Sequence, residues 1–117
     1  MVNCLIVGDM GKGTLDQFIV AKAMKKLYKR HNIKFVLGVG DNFYPDGCTS
    51  VTDPLFHDNF EKMYSILPDD RWYMCLGNHD YGYHQTVQGL NNNSIHQVEY
   101  TKHSKKWYMP SKYYSFV

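Results

Sequence analysis

Three short apolar runs recur along the chain, each followed by glycine and then by a side chain that carries an oxygen atom. The runs lie at residues 4–7, 35–39 and 72–76, and their apolar positions are consecutive rather than alternating. Consecutive apolar positions are typical of strands that are buried on both faces, as in parallel sheets. The three runs therefore predict three parallel strands.

A helical pattern fills the first gap between these strands. Thr14 and Gln17 have the spacing of a capping box, which favours a helix start at this point. The apolar positions that follow at helical spacing, and that predict the buried stripe of this helix, are Val20, Ala23, Met24, Leu27 and Tyr28.

A second helical pattern fills the second gap. Asp53 is predicted to cap this helix, Pro54 to occupy its first turn, and Pro68 to end it. Its predicted apolar stripe consists of Leu55, Phe56, Phe60, Met63, Tyr64 and Leu67.

The resulting order is β-α-β-α-β, which indicates an α/β fold with right-handed crossovers and a layered sheet. Residues 85–107 are polar, and we predict that they are partly helical. Residues 112–117 have the pattern of a fourth strand. That strand would reach the last residue without a turn, so we expect the architecture to be incomplete.

The composition narrows the possible partners and locations. The 117 residues are 44% hydrophobic and 15% aromatic, as in a globular core, and the net charge is only +2. So small a charge argues against a nucleic-acid partner. No apolar run reaches the roughly 18 residues that a membrane span needs, so no membrane partner is expected. Residues 2–7 are too short for a secretory signal, which favours an intracellular location.

Oxygen ligands follow all three predicted strands. Asp9, Asp41 and Asn78 each come directly after the glycine that ends a strand. Because the carboxyl ends of parallel strands meet at one edge of the sheet, these side chains should converge there. Tyr44 lies three residues after Asp41 and can bring a phenolate to the same ion. Such hard donors suit Mg, Mn or Fe, and with imidazoles they suit Zn.

An imidazole and a carboxylate extend this set. His79 and Asp80 follow Asn78 directly, and an acidic neighbour is what a working imidazole needs to hold its tautomer. Each residue alone is more typical of an ordinary turn or of a packed aromatic ring. Together they form three blocks in chain order: GDMG at 8–11, GDNFY at 40–44 and GNHD at 77–80.

These blocks resemble the purple (tartrate-resistant) acid phosphatases, within the calcineurin-like metallophosphoesterase superfamily. The resemblance covers the whole chain, and Tyr44 in the second block distinguishes the acid-phosphatase branch from the wider superfamily. It implies a β-sandwich flanked by helices, of which residues 1–117 would be the N-terminal portion of a single domain. It also implies a hydrolase that acts on a phosphomonoester, either a small molecule or a phosphoprotein.

The resemblance implies a dinuclear metal centre of Fe(III) with Fe(II), Zn or Mn. Asp9 and Tyr44 would bind the ferric ion, Asp41 would bridge both ions, and Asn78 would bind the divalent one. Two such ions would acidify a bound water, and the resulting hydroxide would attack phosphorus in line.

The resemblance also implies two catalytic residues. His79 corresponds to the histidine that contacts the phosphoryl group and assists the leaving group, and Asp80 would support it. Charge on the phosphoryl oxygens would be neutralised by the paired cations.

One part of the family pattern is missing. It requires three further histidines, in a Gly-His segment and in a Gly-His-x-His segment, and the chain contains neither. His84 lies near the site loop and is a weak substitute ligand. The second reading is therefore a truncated or split chain that binds metal or phosphate weakly or needs a complementary C-terminal segment. A phosphodiesterase or nucleotide hydrolase is a third reading, against which Tyr44 argues.

Overall fold

Strands and helices alternate in the computed structural model, which describes residues 1–82 and 92–117. The strands are β1 (Asn3–Val7), β2 (Ile33–Gly38), β3 (Trp72–Met74) and β4 (Trp107–Tyr108). The longer helices are α1 (Leu15–Arg30), α2 (Pro54–Phe56, continued by a π-helical turn over His57–Glu61) and α3 (Ser94–Glu99, continued by a 3-10 turn over Tyr100–Lys102). A 3-10 turn over His79–Tyr81 follows β3.

All four strands pair in parallel, in the order β1-β2-β3-β4. The predicted α/β fold and its β-α-β-α-β order are therefore confirmed. Because the strand order follows the chain and such crossovers are right-handed, the helices pack on one face of the sheet. None of the helices in the described ranges is long and apolar enough to span a bilayer.

The core between the sheet and the helices is largely aromatic. Val36, Trp72 and Trp107 point from β2, β3 and β4 into this core, where each is at most 1% exposed. Phe60 from α2 packs edge-on against both tryptophans, at ring-centroid distances of 5.1 and 5.0 Å. Large rings in edge-to-face contact bury much apolar area in a small domain, which stabilises this layer.

The prediction of a strand at residues 112–117 is wrong. The fourth strand is β4, and Pro110, which lacks an N–H to donate to a sheet, lies two residues beyond it. The segment that follows Pro110 lies across the face of the sheet opposite the helices, which it contacts through side chains. Phe116 stacks on Tyr73 with centroids 3.6 Å apart, and the Tyr114 hydroxyl donates to the Met74 carbonyl at 2.7 Å.

Helix α1 begins as predicted but turns a different face inward. The Thr14 side chain accepts from the Gln17 N–H, and Gln17 returns a bond to the Gly13 N–H. Gln17 is itself buried. Its side-chain amide can be buried because it donates to the Asn59 backbone carbonyl and to the Tyr64 hydroxyl. The buried residues of α1 are Gln17, Ala21 and Met24, with Tyr28 half-buried. The predicted stripe residues Val20, Ala23 and Leu27 are exposed.

Helix α2 begins as predicted and ends earlier. The Asp53 carboxylate accepts from the Leu55 N–H at 2.9 Å, and Pro54 occupies the first turn. Regular helix ends at Glu61, and hydrogen-bonded turns carry the chain to Leu67. The buried members of the predicted stripe are Phe56, Phe60, Tyr64 and Leu67.

A fully buried carboxylate ties the ends of β2 and β3 together. Asp80 accepts hydrogen bonds from the backbone N–H groups of Asn42, Phe43 and Gly77 and from the Gln97 side chain, at 2.8 to 3.2 Å. Burial raises the pKa of the Asp80 carboxyl, and these donors oppose the rise. The loop after β2, the loop after β3 and helix α3 are thus fixed to one side chain.

The loops after β1 and β2 also lie in direct backbone contact. The Tyr44 N–H donates to the Gly11 carbonyl at 3.2 Å. A Cβ atom at Gly11 would lie 1.7 Å from the carbonyl oxygen of Asn42. Glycine is therefore required here by close approach of two backbones.

Replacing Gly11 should be costly. We expect Gly11→Ala to lower the free energy of unfolding by about 3 kcal/mol, because the new methyl group meets backbone that cannot move aside. Gly8→Ala is the matched control, since its nearest obstacle is the Val39 side chain, which is 55% exposed and can rotate away. Urea denaturation of both variants tests this, and equal losses would contradict it.

Replacing the Asp80 carboxylate by an amide should also destabilise the chain. Asp80→Asn puts an NH2 group among N–H donors, and we expect a loss of about 1–3 kcal/mol from the donors left unpaired. Asp58→Asn, at an exposed position, should change the free energy of unfolding by less than about 0.5 kcal/mol. A loss no larger at Asp80 than at Asp58 would show that the buried contacts are not needed.

Candidate functional site

Two aspartates mark the carboxyl ends of β1 and β2. Asp9 follows Gly8, and Asp41 follows Gly40. Both aspartates have a left-handed backbone, with φ of 52° and 51°. The Asp9 N–H donates to the Gly40 carbonyl at 3.0 Å, which holds the two loops side by side. Non-glycine residues in this conformation are strained and concentrate at functional sites.

The Tyr44 hydroxyl joins these carboxylates. It lies 2.8 Å from Asp9 Oδ1 and 3.2 Å from Asp41 Oδ2. Burial, and then the two neighbouring carboxylates, raise the pKa of the Tyr44 phenol above its ordinary value. Three oxygen donors from two loops thus converge, as the spacing of the blocks predicted.

This donor set fits a hard cation. Carboxylate and phenolate oxygens are the ligands that iron, manganese and magnesium prefer. Within residues 1–82 and 92–117, no group of three or more His, Cys, Asp or Glu side chains is placed to hold a metal. The described residues therefore offer part of a coordination sphere, formed by two carboxylates and a phenol.

Asp41 also faces the loop after β3. Its Oδ1 accepts from the His79 N–H at 3.1 Å, while its Oδ2 faces Tyr44. Asn78 immediately precedes His79 and is exposed. The two oxygens of the Asp41 carboxylate are thus directed to two different loops.

The His79 imidazole lies over Tyr44 and beside Pro45. Its ring centroid is 4.6 Å from that of Tyr44, and Nδ1 lies 2.6 Å from the Pro45 carbonyl oxygen. A carbonyl only accepts, so Nδ1 carries the hydrogen and Nε2 has the lone pair in the neutral ring. A protonated Nε2 can donate to an oxygen of a substrate or of a leaving group.

Two further predictions concern residues around this imidazole. The described partners of the Asp80 carboxylate are the loop N–H groups and Gln97, so its catalytic role stays a prediction. His84 lies outside the described residues.

Some residues that shape the site have weak signals in the sequence or none. Asn42 is buried between the loops, and its side-chain amide donates to the Cys75 backbone carbonyl and to the Gln97 side-chain oxygen. Its place inside the GDNFY block was the available signal. Gln97 lies in a stretch, residues 97–100, that the family resemblance includes, but neither its residue type nor its spacing indicated a role, and the Pro45 carbonyl gave no signal. The Lys12 ammonium lies 5.2 Å from the centre of the Tyr44 ring, so a cation borders the site.

Several known proteins are similar to this chain in sequence or in fold. The chain is 44% identical over 82 residues to purple acid phosphatase 3 of Arabidopsis thaliana, which covers 68% of this chain and 22% of the relative. It is 38% identical over 116 residues to tartrate-resistant acid phosphatase type 5 of Oryctolagus cuniculus, covering 92% of this chain and 33% of the relative.

A solved structure described as GAP50, the anchor in the inner membrane complex of Plasmodium, is similar in fold. Its TM-score is 0.79 at 25% identity, and the match covers 97% of this chain and 35% of that one. The chain thus spans between about a fifth and a third of the length of these proteins. The calcineurin-like phosphoesterase family model matches residues 2–117. The chain belongs to the calcineurin-like phosphoesterase family, as its resemblance to the purple acid phosphatases indicated.

Proposed function

We propose that residues 1–117 are the N-terminal portion of a single calcineurin-like phosphoesterase domain that hydrolyses phosphomonoesters. The observation that carries this proposal is the Tyr44 hydroxyl within 3.2 Å of both Asp9 and Asp41. A tyrosine between two strand-end carboxylates is the feature expected of the acid-phosphatase branch. The names of the relatives support the same reaction class.

In this proposal the described residues hold part of a dinuclear centre. Asp9 and Tyr44 would hold a ferric ion, Asn78 would hold Fe(II), Zn or Mn, and Asp41 would be a ligand of both ions. When bound, such a pair lowers the pKa of a coordinated water and neutralises charge on phosphoryl oxygens. The opposed directions of the two Asp41 oxygens support the bridging assignment.

The chain's own contribution to chemistry centres on His79. The Pro45 carbonyl holds the ring with Nδ1–H turned towards it. The ring is thereby oriented before substrate arrives, so that Nε2 contacts the phosphoryl group or gives a proton to the leaving oxygen. Asp80 fixes the loop that carries His79 and acts on catalysis through that loop. Lys12 stands where it attracts an anionic ester.

The substrate class is a phosphomonoester, either a small molecule or a phosphoprotein. The residues that this proposal uses would all face the reacting group, and none of them is assigned to the rest of a substrate. Specificity is therefore assigned to chain that lies beyond these residues in longer relatives.

A second candidate function has an observation in its favour. The described residues hold no cluster of three His, Cys, Asp or Glu ligands, so the metal affinity of this chain alone should be low. The chain then binds metal or phosphate weakly and becomes catalytic only when a complementary C-terminal segment supplies the missing ligands.

Tyr44 should be responsible for any visible colour. Fe(III) added to the chain should give a phenolate-to-iron absorption band, and Tyr44→Phe should abolish it without unfolding the chain, because only the hydroxyl is removed. Tyr113→Phe is the control, since Tyr113 is 89% exposed and is not one of the proposed ligands. A band that persists in Tyr44→Phe would contradict the assignment.

Asp41 should control the binding of both ions. Asp41→Ala should lower the affinity for Fe(III) and for Zn(II) at least about tenfold, as measured by isothermal titration calorimetry, because one carboxylate contacts both positions. Asp46→Ala offers a buried aspartate outside the donor set as a control for folding. Unchanged affinity for either ion in Asp41→Ala would contradict the bridging role.

Activity distinguishes the two candidate functions. The metal-loaded chain should hydrolyse an aryl phosphate poorly or not at all. A chimera in which residues 1–117 replace the matching third of the rabbit relative should be active. In the chimera, His79→Ala should lower kcat about 100-fold with unchanged metal content. Full activity of the short chain would contradict the second candidate, and an active chimera indifferent to His79→Ala would contradict the role of His79.

A further inference from the structure

A buried glutamine in α3 contacts both of the loops that carry Asp41 and His79. The side-chain amide of Gln97 bonds to Asn42, which follows Asp41 in the chain. It also bonds to Asp80, which follows His79. Gln97, Asn42 and Asp80 are each at most 1% exposed, so these contacts lie in the interior of the described part of the chain. One side chain therefore joins the two residues that adjoin Asp41 and His79.

Hydrogen-bond chemistry fixes the orientation of this amide. Its Nε2 donates to Asp80 Oδ1 at 2.8 Å, and its Oε1 accepts from Asn42 Nδ2 at 3.1 Å. The same Asn42 Nδ2 group donates to the Cys75 carbonyl at 2.8 Å, so Asn42 also has one orientation. Turning either amide over would place oxygen against oxygen, because a carboxylate and a carbonyl only accept. The two loops are thus held in one relative position.

The backbone of Gln97 is anchored to the aromatic core. Its carbonyl oxygen accepts from the Trp107 Nε1–H at 2.9 Å. Trp107 lies in β4, is 1% exposed and stacks on Phe43 with ring centroids 5.6 Å apart. A fully bonded buried network of this kind is rigid, so the Gln97 side chain transmits the position of the core to the loops.

We propose that Gln97 is a positioning residue, which sets the placement of Asp41 relative to His79. It acts through the two residues that it bonds and need not contact substrate itself. A displacement of about 1 Å at reacting groups can cost about 100-fold in rate, so an indirect support of this kind controls turnover. The inference rests on the proposed function, in which Asp41 and His79 act on the phosphoryl group.

Amide hydrogen exchange of the metal-free chain tests the placement. Gln97→Met fills the same space without hydrogen bonds, and Gln97→Asn is a milder change that keeps the amide but is too short to reach both partners. In each variant, exchange at the Asn42 and His79 amides should become at least about tenfold faster relative to the Trp72 amide in β3. The physical reason is that the acceptors of the two loop amides are no longer held in place.

Ser94→Ala is the matched control for both measurements. Ser94 is fully buried on the same helix, but its hydroxyl donates to the Asn92 side chain and not to the loops. The exchange ratio should therefore change by less than about twofold in this variant.

Turnover tests the consequence, in the chimera of residues 1–117 with the rabbit relative. Gln97→Met should lower kcat about tenfold and leave KM within about twofold, because the groups displaced act on the reacting phosphoryl group. Ser94→Ala should leave both kinetic constants unchanged.

Two results overturn the inference. The first is an exchange ratio in the Gln97 variants like that of Ser94→Ala, which would show at most a loss of global stability. The second is selectively faster exchange in the loops with unchanged kcat, which would show that the reaction does not need this placement. An inactive unsubstituted chimera would contradict the proposed function instead, and the exchange ratio would still decide whether Gln97 places the loops.

Discussion

The hydrogen bonds to the buried Asp80 carboxylate are the interaction on which the site depends. They satisfy backbone N–H groups from the loops after β2 and β3, and those loops carry Asp41 and His79. Loops without regular structure have few internal contacts of their own, so a shared acceptor gives them a common position. The amide of Gln97 adds helix α3 to the same centre. The positions of Asp41 and His79 are therefore set by Asp80, a buried residue that need not touch substrate.

The hydrogen bonds to Asp80 allow the neighbouring loops to keep a strained backbone. Asp9 and Asp41 both have left-handed backbones, and their carboxylates face one phenolic oxygen. Such an arrangement would relax in an isolated loop, since neither the backbone nor the paired negative charges favour it. Backbone contact at Gly11 and the Asp80 hydrogen bonds prevent that relaxation. The stability of the surrounding fold thus holds the two carboxylates and the phenol together.

Much of the fold and the position of the site could be predicted from the sequence, and the reason is topological. Parallel strands place their carboxyl ends at one edge, so three spaced blocks were enough to bring Asp9, Asp41 and Tyr44 together. Residues 112–117 were misassigned because a run rich in aromatic side chains suits a strand as well as a segment lying across a sheet face. Gln97 could not be foreseen, since a buried amide network has no periodicity. The buried face of α1 was mispredicted for a similar reason. Gln17, a polar residue, is buried through its hydrogen bonds, whereas the apolar Val20 and Leu27 are exposed.

The sequential order of the strands separates two parts of the molecule that can change independently. Helices α1, α2 and α3 lie on the same side of the sheet, so the loops at the carboxyl edge rest on the aromatic layer between the sheet and these helices. The opposite side is contacted by the last few residues, chiefly through Phe116 and Tyr114. Substitutions on that side are expected to change the packing around Tyr73 and Phe116. They should leave the hydrogen bond between Asp80 and helix α3 as it is, because that bond lies among the helices.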